Sequence, residues 1–363
     1  MLYVVFFISI MACDRYNPVQ DEIPDVPRET QAYSTEAMNL AIRMIELYPE
    51  EPLYKYKKGV LHLQRQEWSA AVEAITQALK YDSLNVSYRF SLATAHHAQE
   101  DYKKALQIFQ RILPKIEDDF ESLVLVGELY YTQKEYDNAT KYLNKALKIT
   151  SHEAKVYYWK GTVALARLDT ATAIQNLNIA LQRKPSYALV YNAFAEMYNR
   201  YDLPTLAITY VNKGLQYDAK ASILYFTKAE AFRIKRFSDD SARLNYEKAY
   251  RLNRKLHMAG YYLGKYTYEA GKYEEAKRYF EAVVRQEPVF ATAYYYLGMC
   301  LRMSGNKEEA LKKLGMAIKQ DAKLLTATDM YWAISNEIQQ ERYYRYEDSL
   351  RRISQVIDTT KHF

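Results

Sequence analysis

Apolar residues fall into short helical stretches separated by polar turns, and small residues recur inside those stretches at a fixed interval. Alanines stand at positions 37, 71, 105, 139, 173 and 207, each 34 residues after the last. The series resumes at 242, 276 and 310 after one interval of 35. Small side chains at equivalent points let helix axes approach to roughly 8–10 Å. The pattern therefore predicts helices that pack closely at a repeated contact.

Glycines follow the same period. Gly127 to Gly161 and Gly264 to Gly298 are both 34 residues, whereas Gly161 to Gly264 is 103, three periods plus one. Both series therefore require one inserted residue in the interval that ends at Ala242. The period divides the chain into eight units: 52–85, 86–119, 120–153, 154–187, 188–221, 222–256, 257–290 and 291–324.

Other residues recur at fixed places within these units. Unit 154–187 carries Tyr157, Gly161, Ala173, Ala180 and Pro185, and unit 257–290 carries Leu263, Gly264, Ala276, Phe280 and Pro288. This spacing resembles the tetratricopeptide repeat, a 34-residue helix-turn-helix unit. The resemblance implies an all-α fold, a right-handed superhelical solenoid over residues 31–324.

The two ends of the repeat array depart from the period. Residues 31–51 match only the second half of a unit, with Ala37 and Pro49 in place, and are predicted to form a half-repeat. After Leu324 the spacing fails, although 325–357 still has a helical pattern, followed by a tail at 358–363. Solenoids need an end element that covers the last stacking face, so a C-terminal capping helix is predicted.

The first thirty residues have a different composition. Residues 1–12 are uncharged and mostly apolar, too few for a membrane span of about 20 residues. The segment Ile10-Met11-Ala12-Cys13 resembles a bacterial lipobox, which implies a signal peptide, cleavage before Cys13 and lipidation of its thiol. Residues 13–30 contain three prolines and are predicted to be a flexible tether.

This interpretation places the protein in a bacterial cell envelope, as a membrane-anchored lipoprotein facing the periplasm, on the outer membrane if the organism has one. One expected feature is missing, because no Lys or Arg precedes the apolar run. The alternative is a hydrophobic N-terminal tail with an incidental cysteine.

Composition narrows the fold and the function further. The chain has only 10 glycines and 9 prolines in 363 residues, which favours helices joined by short turns. Its net charge of +6 is spread along the chain rather than concentrated in the basic stripe of a nucleic-acid-binding protein. The six histidines and two cysteines form no metal-ligand spacing, and no P-loop, GxGxxG or GxSxG string occurs. We therefore predict a protein that is not an enzyme and uses no cofactor or metal.

The resemblance also implies a concave groove lined by the first helix of each unit, with positions 2, 5, 9, 12 and 13 facing it. Six of the eight residues at position 5 are aromatic: Tyr56, Phe90, Tyr158, Phe226, Tyr261 and Tyr295. Position 12 adds Tyr131 and Tyr268, and the nearby charged residues include Glu196, Arg200, Glu230 and Arg233.

Five acidic and five basic residues on this face leave it without an overall sign, which disfavours a phosphate-rich ligand. Aromatic anchors among mixed polar residues are typical of peptide or protein recognition. Two functions remain open: an interaction scaffold that holds a protein segment in the groove, and a peptidoglycan or glycan binder that uses stacked tyrosines. A third possibility is structural, since aromatic residues at position 5 can pack against the next helix.

Overall fold

The computed structural model describes residues 31–116, 118–234 and 239–360. Within these ranges it contains eighteen α-helices and no strand, which confirms the predicted all-α fold. The predicted signal peptide, Cys13 and the proline-containing tether lie outside the described residues. The inserted residue falls in an interval that includes the undescribed residues 235–238.

The helices follow one another as pairs. The first helices of the eight pairs are α2 (Pro52–Gln64), α4 (Val86–Ala98), α6 (Phe120–Thr132), α8 (Ala154–Ala166), α10 (Ala188–Arg200), α12 (Ser222–Arg233), α14 (His257–Glu269) and α16 (Ala291–Met303). The second helices are α3 (Trp68–Tyr81), α5 (Tyr102–Ile112), α7 (Tyr136–Ile149), α9 (Thr170–Arg183), α11 (Pro204–Tyr217), α13 (Asp239–Leu252), α15 (Tyr273–Gln286) and α17 (Lys307–Gln320). Helix α1 (Gln31–Leu47) precedes the pairs, α18 (Leu325–Thr360) follows them, and a 3₁₀ turn (Leu113–Lys115) lies between α5 and α6.

The chain forms two compact units, residues 1–193 and 194–363, which meet within α10. In each unit, the core lies between the two helices of a pair and between successive pairs. The core of the first unit includes Phe109, Leu129 and Leu143. That of the second unit includes Phe280 and Leu314.

Close helix contact explains the small residues of the period. Ala139, Ala146 and Ala173 are completely buried. A Cβ atom added to Gly161 would lie 2.7 Å from Cγ of Leu177, and one added to Gly127 would lie 2.8 Å from the equivalent leucine of its own pair. Real Cβ atoms do not come so near to another carbon, so larger side chains are excluded. The predicted close crossing within each pair is confirmed.

The turn between the two helices of a pair has a fixed backbone geometry. In the third pair, the Lys134 amide donates to the Tyr131 carbonyl at 2.9 Å, and the Glu135 amide donates to the Tyr130 carbonyl at 2.9 Å. These two bonds form the Schellman motif, which requires a left-handed residue just after the helix. That residue has positive φ at 34-residue spacing: Gln66, Glu100, Lys134, Leu168, Asp202, Gly271 and Gly305.

Helix α18 is 36 residues long, whereas the helices of the eight pairs have 11 to 14 residues. Its first half packs against the last pair, because Ala327, Ile334 and Ile338 are buried in a cluster with Leu314 and Ala317 of α17. From residue 342 to 353 every position except Glu347 is exposed. Among the residues described, no helix has the length and apolar character that a membrane crossing requires.

Candidate peptide-binding surface

The first helices present a row of residues at positions 2, 5, 9, 12 and 13 of each unit, which we call the first-helix face. At the N-terminal end of the first unit, Tyr56 is half-buried and its ring stacks on Tyr88 at 4.4 Å. The Tyr56 hydroxyl lies 3.1 Å from Oγ of Ser91. Phe90 is only 6% exposed and packs edge-on against Phe109 in the core. Tyr56 therefore has a ring at the surface, whereas Phe90 serves the interior.

Farther along the first unit, four aromatic residues form a half-buried cluster, which we call the aromatic cluster: Tyr131, Tyr158, Trp159 and Tyr187. Trp159 lies at the centre, with its ring centroid 5.5 Å from that of Tyr131 and 5.1 Å from that of Tyr158. Tyr187 adds a contact of 5.4 Å to Tyr158. The sequence pattern identified Tyr131 and Tyr158. It missed Trp159 at position 6 and Tyr187 at the end of its unit, because the family pattern places neither on the first-helix face.

Two half-buried charged pairs belong to the same face of the first unit. Lys155 donates from Nζ to Oε2 of Glu121 at 3.1 Å, and these residues are equivalent in adjacent units. His97 Nε2 lies 3.0 Å from Oε1 of Glu128. Burial, and then the carboxylates of Glu128 and Glu121, raise the pKa of Tyr187. That hydroxyl therefore stays protonated at neutral pH and is available as a hydrogen-bond donor beside the aromatic rings.

In the second unit, Glu230 and Arg233 satisfy one another. Arg233 donates from Nη2 to Oε2 of Glu230 at 2.6 Å, and its guanidinium lies over the Tyr262 ring at 4.9 Å. The buried Tyr246 hydroxyl also donates to Glu230, and burial followed by the Glu230 charge raises the pKa of Tyr246. Phe226 contacts the same Tyr246 ring at 5.7 Å. These residues form a single network in which both predicted charges are already paired.

A second group of aromatic rings lies toward the end of this unit. Tyr296 is at its centre and stacks on Phe280 at 5.3 Å. The predicted residues Tyr261, Tyr268 and Tyr295 surround it, with ring centroids 6.1, 5.6 and 5.2 Å away. All three predicted tyrosines are half-buried, so one side of each ring packs against the protein. The family pattern did not point to Tyr296, which stands at position 6 like Trp159 in the first unit.

The remaining predicted residues, Glu196 and Arg200, are exposed on α10 within the second unit. Elsewhere, burial raises the pKa of the Cys300 thiol to about 12, so this cysteine is an unreactive core residue. Across the described ranges, no three His, Cys, Asp or Glu side chains come together as a set of metal ligands. The chemistry that this surface offers is aromatic contact and hydrogen bonding.

Comparison with known families places these observations in context. Tetratricopeptide-repeat profiles match residues 56–120, 120–152 and 261–323. Human protein O-mannosyl-transferase TMTC1 is 24% identical over 202 residues, and TPR repeat-containing protein MJ1428 of Methanocaldococcus jannaschii is 21% identical over 211 residues. These alignments cover 54% and 53% of this chain but only 22% and 37% of the two relatives.

Solved structures share the fold at low sequence identity. The APC/C hetero-tetramer Cut9–Hcn1 aligns with a TM-score of 0.55 at 13% identity, covering 91% of this chain and 62% of that chain. PilF of Pseudomonas aeruginosa aligns with a TM-score of 0.51 at 16% identity, covering 58% of this chain and 96% of that chain. The matched repeats and the succession of helix pairs identify this chain as a member of the tetratricopeptide-repeat family.

Proposed function

We propose that this protein is a non-catalytic interaction scaffold that binds a peptide or protein segment on its first-helix face. Tetratricopeptide-repeat proteins are in general scaffolds for protein interaction, and the repeats make up the matched parts of the chain. The observation that carries the proposal is the half-buried aromatic cluster of the first unit.

A partly buried ring is suited to binding because its orientation is fixed before the partner arrives. Immobilising a free side chain at an interface costs about 0.5–1.5 kcal/mol, and Trp159 avoids much of that cost through its contacts on both sides. Tyrosine and tryptophan are also enriched among the residues that dominate binding energy. The aromatic cluster therefore offers a preorganised apolar contact with hydroxyl groups at its edge.

The charges beside this cluster point to register rather than to strong electrostatic attraction. Lys155 and Glu121 already form a pair, as do His97 and Glu128. A partner would exchange hydrogen bonds with these pairs without meeting a field of one sign. We expect its affinity to fall only modestly as salt is raised.

The decisive experiment compares two tyrosines of the same pair of helices. A photo-crosslinking amino acid replaces either Tyr131, on the first-helix face, or Tyr142, which stacks on Tyr130 at 5.3 Å as a half-buried ring of α7. In native membranes, a defined protein should be captured from position 131 and not from position 142. Equal capture from both positions would contradict binding on the first-helix face.

Once that protein is identified, its affinity for variants of the aromatic cluster can be measured. Tyr158→Ala together with Trp159→Ala should weaken binding at least tenfold if each ring contributes about 1 kcal/mol or more. Circular dichroism must remain native, because both rings also pack within the protein. Full affinity in a folded double variant would exclude the cluster. Saturable binding of the protein alone to purified sacculi, lost in the same variant, would instead favour the glycan-binding alternative.

We further propose that the scaffold is attached to a bacterial envelope membrane through lipid on Cys13. The support comes from the lipobox-like segment Ile10-Met11-Ala12-Cys13 and from the proline-containing tether that follows it. A single acyl chain holds a protein only weakly, whereas several chains give stable attachment, so the anchor would carry more than one.

A further inference from the structure

Helix α18 runs well beyond the last pair, and one of its faces follows a regular spacing. The residues on that face are separated by alternating steps of four and three: Trp332, Asn336, Gln339, Tyr343, Tyr346, Leu350 and Ile353. Every one of them is exposed. Alternating steps of four and three define the a and d positions of a coiled coil. We call this row the α18 seam.

The seam is not the face with which α18 contacts its own protein. Ile334 is two residues from both Trp332 and Asn336, which is about 200° around a helix of 3.6 residues per turn. Ile334 and Ile338 are buried against the last pair, and Glu337 is held there by ion pairs with Arg302 and Lys307. The last pair therefore occupies the opposite side of the helix and leaves the seam open.

The apolar side chains of the seam are large and strongly exposed. Trp332 is 60% exposed, Tyr346 is 62% exposed, and Leu350 and Ile353 are exposed to a similar extent. An exposed apolar row of roughly 33 Å along one helix is unusual for a surface that contacts only water. A straight amphipathic row of this kind is covered most simply by another helix that has the same row.

The polar residues support pairing with an identical helix in parallel. With Asn336, Tyr343 and Leu350 at a positions, Arg342 occupies a g position and Glu347 the following e position. In a parallel two-stranded coiled coil these positions face one another across the interface, so each chain's Arg342 meets its partner's Glu347. The other flanking positions are uncharged: Ser335, Gln340 and Ser349. No like charges are opposed.

These two charged residues have only weak contacts within a single chain. Arg342 lies 2.9 Å from Glu308, but both side chains are well exposed to solvent. Glu347 accepts from the Tyr343 hydroxyl at 2.8 Å and lies 3.7 Å from Arg351. Ion pairs between exposed groups contribute little to stability, so they do not prevent a new pairing. Asn336, as a polar residue at an a position, would fix the register at some cost in affinity.

We propose that two copies of this chain associate through the α18 seam as a parallel two-helix coiled coil. This association is separate from the first-helix face and does not depend on the proposed peptide binding. In it, the apolar residues of the seam leave water in both copies at once. The scaffold would then present its binding surfaces twice, which raises the apparent affinity for a partner that carries two or more copies of the bound segment.

The first test is the mass of the full chain in solution. Sedimentation equilibrium at tens of micromolar should give twice the monomer mass for the unaltered chain. Leu350→Lys with Ile353→Lys should weaken self-association at least tenfold. The matched control is Tyr344→Lys, which alters an equally exposed aromatic residue, 69% exposed, at a b position off the seam. A monomeric unaltered chain, or a dimer insensitive to the seam substitutions, would overturn the proposal.

The second test determines orientation. In a Cys13→Ala background, Leu350→Cys should form an intermolecular disulfide on mild oxidation, because a parallel pair places each residue 350 beside its own copy. Tyr344→Cys should not do so, and the native Cys300 is buried. A dimer in which Leu350→Cys fails to crosslink would overturn the parallel arrangement. A monomer whose seam substitutions abolish binding of a different protein would assign the seam to that protein and overturn self-association.

Discussion

At the scale of single residues, the packing within each helix pair depends on a glycine that faces a large side chain sixteen residues later. Gly59 faces Ile75, Gly161 faces Leu177 and Gly264 faces Phe280. The pairs that have alanine at this position instead keep it completely buried, as at Ala93 and Ala229. The size of this one residue therefore sets how near the two helices of a pair lie.

Two glycine substitutions should have opposite effects on stability. Gly161→Ala should lower the free energy of unfolding by about 1–3 kcal/mol, because the added carbon would lie 2.7 Å from the branch point of Leu177. Gly315→Ala should raise it by about 0.5–1 kcal/mol, because its new carbon lies 3.9 Å from Tyr331 and alanine favours the helix.

Hydrogen exchange is the suitable measurement for this pair of variants, since repeats couple mainly to their neighbours. Protection should fall first in α8 and α9 for Gly161→Ala. If both substitutions stabilise the protein equally, helix propensity outweighs packing and the close contact is not the reason for the glycine.

At the scale of elements, the turn between paired helices requires a left-handed residue, and the chain fills that position unevenly. Glycine occupies it at 271 and 305, whereas Lys134, Leu168 and Asp202 adopt positive φ at a cost that glycine does not have. Nothing lies within 4 Å of a carbon added at Gly271. The constraint at this turn is therefore the backbone angle and not the available space.

Leu168→Gly should therefore increase stability, by about 1 kcal/mol at most, because relief of the left-handed conformation exceeds the greater entropy of glycine in the unfolded chain. The control is Leu168→Ala, which removes the same exposed side chain without relieving the backbone and should give no gain. Gly271→Ala should cost about 1 kcal/mol. Denaturant midpoints report all three changes, and a stabilising Gly271→Ala would disprove the role assigned to the turn.

Much of the element pattern could be predicted from the sequence. The alanine and glycine periods gave the helix pairs because a residue confined by a neighbouring helix is restricted in size, and that restriction is visible in the letters. The left-handed turn was not visible, because Lys134 and Leu168 carry no sign of their backbone angle. The α18 seam was also missed, since helix 325–357 was interpreted only as a cap.

At the scale of the whole molecule, the candidate surface was predicted less completely than the fold. Position 5 correctly drew attention to the aromatic residues, but it could not separate a core ring such as Phe90 from a surface ring such as Tyr158. That difference depends on which neighbouring side chains cover each ring. Trp159 and Tyr296 came to light only from their ring contacts, because position 6 has no reserved role in the family pattern.

The attachment of the molecule to a membrane has a direct test. Cells that express the protein with a labelled fatty acid should yield labelled wild-type protein, whereas Cys13→Ala should stay unlabelled and keep its first twelve residues. Mass spectrometry of the N-terminus distinguishes the two forms. A soluble, unlabelled wild type would show that the cysteine after Ala12 is incidental and that the apolar segment has another role.

The length of α18 has a practical consequence for studying this protein. At about 1.5 Å per residue, the 22 residues from Ile338 to Thr360 extend roughly 33 Å beyond the last buried side chain of the helix. That is about the diameter of a small domain. A reporter fused beyond Thr360 would be kept at that distance from the last repeat, where it would leave Tyr268 and Tyr295 uncovered.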